Sequence, residues 1–171
     1  MIVLMAGLPG TGKSTLARAL AARLGGSVLS KDDIRHAIFS PADVEYSTAQ
    51  DDFVMEIMLG TAAWILTKKP KRIVFLDGRT FSRRYQIDRV IGAAEAVQQP
   101  WRILECVCSE ESARSRIELQ AATGEHPAGN RNIDLYIDVK AHFEAIVLPK
   151  TVIDTDQSLE ECVDRVLQSL L

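Results

Sequence analysis

The sequence predicts an α/β fold in which a parallel sheet carries helices on both faces. Short apolar runs alternate with segments of helical period along the chain. The first run, Ile2-Val3-Leu4-Met5-Ala6, is continuously apolar, as a strand covered on both faces must be. No linker-like stretch, low-complexity segment or internal repeat divides the 171 residues, a length that suits one domain with a sizeable core.

Leu16, Leu20 and Leu24 follow the first run at helical spacing and end at Gly25-Gly26, a helix stop. Ser27-Val28-Leu29 makes a brief second strand. The next helix starts at Ser30, an N-cap with Asp33 three residues on, and its Ile34, Ala37 and Ile38 form the face expected to meet the core. Phe53, Ile57, Trp64 and their apolar neighbours mark a long helix expected to be mostly buried. Residues 72–77 form a third strand ending in a carboxylate, and Ile87, Val90, Ile91, Ala94 and Val97 a helix that stops before Pro100. A fourth strand is expected over 103–108 and a short fifth at Val152-Ile153. Between these two lie helices near 110–122 and 133–147, and Leu159–Leu170 closes the pattern as a helix. The reading is therefore a five-stranded parallel sheet.

A hydrophobic content of 47% and a charged content of 25% match an ordinary globular protein. The net charge of −3 offers no general attraction to nucleic acid or an anionic membrane, so polynucleotide partners are disfavoured. The apolar stretches fall far short of a bilayer span of roughly 20 residues, and the N-terminus lacks the basic region of a signal peptide. Cys106, Cys108 and Cys162 have no metal-binding spacing; an odd number reads as free, structural thiols in a reducing, cytoplasmic compartment, with Cys106 and Cys108 on one buried strand face.

Gly7-Leu8-Pro9-Gly10-Thr11-Gly12-Lys13-Ser14 fits the pattern G-x-x-x-x-G-K-[ST] between a buried strand and a helix, where a phosphate-binding loop must lie. Its glycines let the backbone turn its N–H groups onto phosphate oxygens, and the helix that follows adds its positive N-terminal dipole. Lys13 is then expected at the β and γ phosphates of ATP and the Ser14 hydroxyl on Mg²⁺; Gly7, Gly10, Thr11, Gly12 and Thr15 complete the nucleotide contacts.

Three further groups bear on the acceptor. In Ser30-Lys31-Asp32-Asp33-Ile34-Arg35-His36, residues Asp32, Arg35, His36 and Phe39 lie opposite the apolar face of their helix. This helix follows a strand end, where ligands of open α/β sheets gather, so Asp32 is expected to take a proton from an attacking hydroxyl and Arg35 to hold an anionic group of the acceptor. Asp77, after four apolar residues, is expected to hold Mg²⁺ through water or to touch the acceptor; Arg79 is the nearest of the arginines beyond it. Residues 110–131 read as a lid: a helix bearing Arg116 and Gln120 on one face, then a loop from Thr123 to Arg131.

With these residues on the page, the sequence resembles the predicted AAA-type P-loop kinases, a group similar to the kinase domain of phage polynucleotide kinase and, more distantly, to zeta toxins and chloramphenicol phosphotransferases. The resemblance spans nearly the whole chain, through the glycine loop, Lys31-Asp32-Asp33-Ile34-Arg35, Phe75-Leu76-Asp77-Gly78-Arg79, Arg114-Ser115-Arg116, and from His126-Pro127-Ala128 to Phe143. It implies the P-loop sheet order 2-3-1-4-5, Asp32 as general base, Arg35 as acceptor-phosphate contact, Asp77 as an acceptor-side carboxylate and Arg116 as lid arginine. It also implies adenine between the lid base near Arg114 and the turn at Asp154-Thr155. Gln120 departs from the pattern, since polynucleotide kinases carry a second lid arginine there; Arg131 is a candidate replacement. The expectation is a Mg·ATP-dependent kinase with a small, anionic hydroxyl acceptor. A 5′-hydroxyl polynucleotide kinase would need a basic channel leading to Arg35, and a non-catalytic ATP switch would lack an acceptor pocket. Oligomeric state stays open.

Overall fold

The computed structural model describes residues 1–123 and 132–170. β1 (Ile2–Ala6) leads through the glycine loop into α1 (Lys13–Leu24), followed by β2 (Ser27–Ser30) and α2 (Lys31–Ile38). A short 3-10 turn (Pro41–Asp43) precedes the long α3 (Thr48–Lys68), then β3 (Val74–Asp77), α4 (Arg84–Ala96) and β4 (Trp101–Val107). α5 (Glu110–Thr123), α6 (Ile133–Ala141), β5 (Thr151–Asp154) and α7 (Leu159–Leu170) complete the described elements. The five strands are parallel in the order β2-β3-β1-β4-β5, the P-loop NTPase arrangement.

Alternation along the strands sorts the core into two layers. Ile2, Leu4, Val74, Leu76 and Ile103 face α3 and α4, meeting Val54, Met58, Val90 and Ala94. Val3, Met5, Phe75, Leu104, Cys106 and Ile153 face α1 and α7, meeting Leu16, Leu20, Cys162 and Val166. Every residue of β1 is fully buried, so this strand anchors both layers, its Ile2, Val3, Leu4 and Met5 side chains each contributing about 1.5–3 kcal/mol through burial. Register places Ser30 beside Asp77, so the ends of β2 and β3 reach the same edge of the sheet as the glycine loop after β1.

Several elements depart from expectation. α2 is rotated from expectation: Lys31, Asp32 and Arg35 are buried, and of its apolar face only Ile34 packs against the core, while Ala37 is exposed and Ile38 47% exposed. Ion pairs to neighbouring elements compensate its buried polar side. α3 buries the apolar neighbours of its marking residues, Val54, Met55, Met58, Leu59, Ala62 and Leu66, while Phe53 at 55% and Trp64 at 66% are exposed. α6 stops at Ala141, well short of 147, because the chain beyond it serves other elements. Glu144 N–H donates to Ser82 O at 2.9 Å, its carboxylate accepts from the Arg84 N–H that opens α4 at 2.7 Å, and Ile146 enters the core. β3 begins two residues later than expected, and β4 runs two residues earlier at its start and one at its end. Cys106 and Cys162 are buried, Cys108 is half-buried, and all three are free. Among the described residues no helix is long and apolar enough to cross a membrane.

Candidate active site

A cleft of about 830 Å³ opens at the carboxyl edge of the sheet, a volume suited to a small-molecule site. The glycine loop forms its floor. Gly10 has φ of 80°, and a Cβ there would lie 2.6 Å from Ala113 O, so glycine is required both by conformation and by the close passage of α5. Gly12, at φ 74°, caps α1 and turns the chain into the helix, with Lys13 buried at its first position. Lys13 Nζ donates to Gly7 O at 2.8 Å and Leu8 O at 2.6 Å, a hold that a phosphate must take over. Gly10, Gly12, Lys13, Ser14 and Thr15 line the cleft; Thr11 is buried beneath it, its hydroxyl donating to Leu8 O at 2.8 Å.

Thr155 joins this loop to the turn after β5: its hydroxyl donates to Thr11 O at 3.1 Å. Arg116 spans both, donating to Thr155 O at 2.7 Å, Thr155 Oγ1 at 3.0 Å and Gly10 O at 3.4 Å. Arg114, expected beside the base, instead pairs with Glu110 at 2.9 Å and is not among the cleft-lining residues. Two residues along a helix is a rotation of about 200°, which puts Arg114 and Arg116 on opposite sides of α5. Gln120 lines the cleft with its Oε1 buried and without a partner among the described residues. The loop 124–131, and with it Arg131, lies outside the described residues.

The other half of the cleft holds a network of buried charges. Asp32 is 6% exposed and accepts from Arg35 NH1 at 2.9 Å. Arg35 is fully buried: its NH2 ion-pairs with Asp51 and its guanidinium lies 5.1 Å over the Tyr46 ring. Lys31 Nζ meets Asp51 at 2.7 Å and Asp32 at 3.9 Å. Desolvation by burial is the largest influence on Lys31, lowering its pKa to about 7 against the partial support of Asp32. Arg79 ion-pairs with Asp52 at 2.7 Å, and Asp52 also meets Arg89 at 3.3 Å. Asp77, 2% exposed at the end of β3, has an Oδ1 with no hydrogen-bond partner among the described residues.

The expected residues Asp32, Arg35, Asp77 and Arg79 thus converge with the glycine loop on one cleft. The guanidinium expected to hold an anionic acceptor, however, is already committed to Asp32 and Asp51. Asp51, Asp52 and Tyr46 escaped the sequence reading. Asp51 and Asp52 sit near the start of α3, where acidic residues are unremarkable complements to the helix dipole, and their partners lie 16 to 37 positions away. Lys31 stood inside the quoted motif without a role.

A family model described as AAA domain matches residues 2–146. No curated protein matches the chain. Among solved structures, it is similar to a candidate kinase of Chloroflexus aurantiacus, with 23% identity and TM-score 0.77 over 98% of this chain and 96% of that one. The APS kinase of Mycobacterium tuberculosis, solved with AMPPNP and APS, aligns with TM-score 0.72 and 18% identity over 99% and 96%. A gluconokinase of Sinorhizobium meliloti 1021 aligns with TM-score 0.68 and 18% identity over 99% and 90%. At these identities the likeness concerns the fold.

Proposed function

The chain belongs to the AAA domain family of P-loop proteins, and on that premise we propose that it is an ATP-dependent kinase transferring the γ-phosphoryl group to a hydroxyl of a small molecule. One observation carries the reading: Asp32 and Asp77, both buried, line the same cleft as the glycine loop, so a nucleotide phosphate and a hydroxyl can meet beside a carboxylate. A nucleotide-binding switch has no need of such an acceptor half. The names of similar structures point the same way, since APS kinase and gluconokinase act on small molecules.

In this reading the backbone N–H groups of 7–14 and the start of α1 cradle the phosphates, and Lys13 leaves the carbonyls of Gly7 and Leu8 for the β and γ oxygens. Asp32, fixed by Arg35, orients the hydroxyl and takes its proton. Ser14 and, through water, Asp77 would hold Mg²⁺, which when bound neutralises phosphate charge; the unpartnered Asp77 Oδ1 suits that duty or a contact to the acceptor. Arg79 backs the acceptor wall. Arg116 would exchange Thr155 for the transferring phosphoryl group as α5, the described part of the lid-like segment of the single kinase domain, closes, with Gly12 and Thr155 flanking the base side. Free thiols suit a cytoplasmic setting. The test is a screen of nucleosides, sugars, polyols and 5′-hydroxyl oligonucleotides with γ-labelled ATP. Label in a small-molecule hydroxyl is expected; label only in oligonucleotides, or in no acceptor, contradicts the reading.

A further inference from the structure

We infer that the acceptor carries no negative charge and is a neutral polyhydroxy compound. The inference rests on the kinase reading and narrows its substrate class, and it departs from the anionic acceptor that the sequence suggested.

Among the described residues, the cations of the acceptor half are already matched by carboxylates. Lys31 and Arg35 share Asp51, and Arg35 also holds Asp32. Arg79 is held by Asp52. Lys31, Arg35 and Arg79 are 7%, 0% and 5% exposed, so meeting a ligand anion would mean breaking an existing pair inside the fold. Asp77 adds a further carboxylate, whose Oδ1 meets no donor among the described residues.

Asp51 is the residue that closes the site to anions. It comes from α3, bridges Lys31 to Arg35, and lines the cleft with 24% of its side chain exposed. Its carboxylate therefore occupies the place between a lysine and an arginine where a ligand carboxylate or phosphate would otherwise sit. An anionic acceptor would have to displace it or stand against Asp51 and Asp77 together, and like charges so placed weaken binding by on the order of a hundredfold or more. Hydroxyl groups fit what remains, since each both donates and accepts. They can donate to Asp77 Oδ1, and the uncharged Thr48, Ser82 and Gln86 that line the cleft offer further partners. The step is then R–OH + ATP → R–O–PO₃²⁻ + ADP + H⁺. The acceptor oxygen bonds to the γ phosphorus, the bond from that phosphorus to the β–γ bridging oxygen breaks with its electron pair passing to ADP, and the proton passes to Asp32 and on to solvent.

Two measurements test this on the full chain. In the first, protein saturated with Mg²⁺ and a non-hydrolysable ATP analogue, so that the glycine loop is filled, is titrated calorimetrically with inorganic phosphate. The wild type is expected to show no saturable binding at millimolar phosphate, and Asp51→Asn to bind at least about tenfold better, because it frees the Lys31–Arg35 pair. Saturable phosphate binding by the wild type that Arg35→Lys weakens would overturn the inference, and this outcome needs no variant of Asp51 to fold. In the second, γ-labelled ATP is offered to neutral polyols and to acids and phosphate monoesters of matched chain length. The neutral series is expected to show kcat/KM higher by on the order of a hundredfold; preference for an anionic series overturns the inference while the kinase reading stands. If nucleotide binds and neither series accepts label, the kinase reading fails, and the substrate class inferred from it falls too.

Discussion

Replacing Arg35 by methionine tests the network at its centre. The guanidinium is fully buried, lies 2.9 Å from Asp32, ion-pairs with Asp51 and stacks at 5.1 Å over Tyr46. Methionine keeps most of the apolar volume and removes the charge, leaving Asp32, with 8% of its side chain exposed, without its closest cation. Removing one partner of a buried pair costs about 3–5 kcal/mol. Asp51 retains Lys31 at 2.7 Å and is 24% exposed, so solvent and a second cation limit its share of the loss. The lower figure, about 3 kcal/mol, is expected. For a chain of this size that corresponds to a fall in Tm of about 6–12 °C. Scanning calorimetry reads the shift, and urea titration with an unchanged m value checks that the same cooperative unit unfolds. Arg35→Lys, which keeps a charge but loses the two-pronged reach, is expected to fall in between. An unchanged Tm for Arg35→Met would mean that Arg35 does not hold Asp32 and Asp51 together in solution, and the positioning of Asp32 would need another cause.

Two further substitutions probe the loop and the charge balance. Gly10→Ala places a side chain at φ 80° and 2.6 Å from Ala113 O; a loss of at least about 1–3 kcal/mol in stability is expected together with loss of ATP binding, and retained ATP affinity would refute the close approach of α5. Lys31 bears on pH: its folded pKa of about 7 lies below the ordinary lysine value, so between that pH and about 10.5 the unfolded chain binds a proton the folded one lacks. Its contribution to stability therefore rises with pH across that window, with a slope of up to about 1.4 kcal/mol per pH unit, and Lys31→Met is expected to remove this rise. Equal pH slopes in the two proteins, read by urea unfolding from pH 7 to 9.5, would show that Lys31 stays charged.

The glycine loop and the strand–helix order were legible because both depend on local rules: a continuous apolar run, a motif with a fixed mechanism, and helix stops at Gly25 and before Pro100. Asp77 was legible for the same reason, as a carboxylate closing a buried strand. α2 defeated the rule that apolar faces turn inward. Its polar face is buried because Lys31 and Arg35 find Asp51 on another helix, and such long-range pairing leaves no period in the sequence. Phe53 and Trp64 misled in the same way, since a stripe at helical spacing shows that a helix has a face but not which way it points. The end of α6 was set by a distant demand, the capping of α4 by Glu144, that no residue near Ala141 announces.

The claim on which the account turns is that Asp32 serves the acceptor and not the nucleotide. Its most direct test compares wild type with Asp32→Asn, which keeps the size of the side chain and an oxygen for Arg35, measuring single-turnover transfer of labelled γ-phosphate alongside ATP affinity by calorimetry. Transfer is expected to be slower by about 10²–10⁴-fold, with ATP affinity changed by less than about threefold. Undiminished transfer in Asp32→Asn, or ATP affinity lost together with transfer, would contradict it.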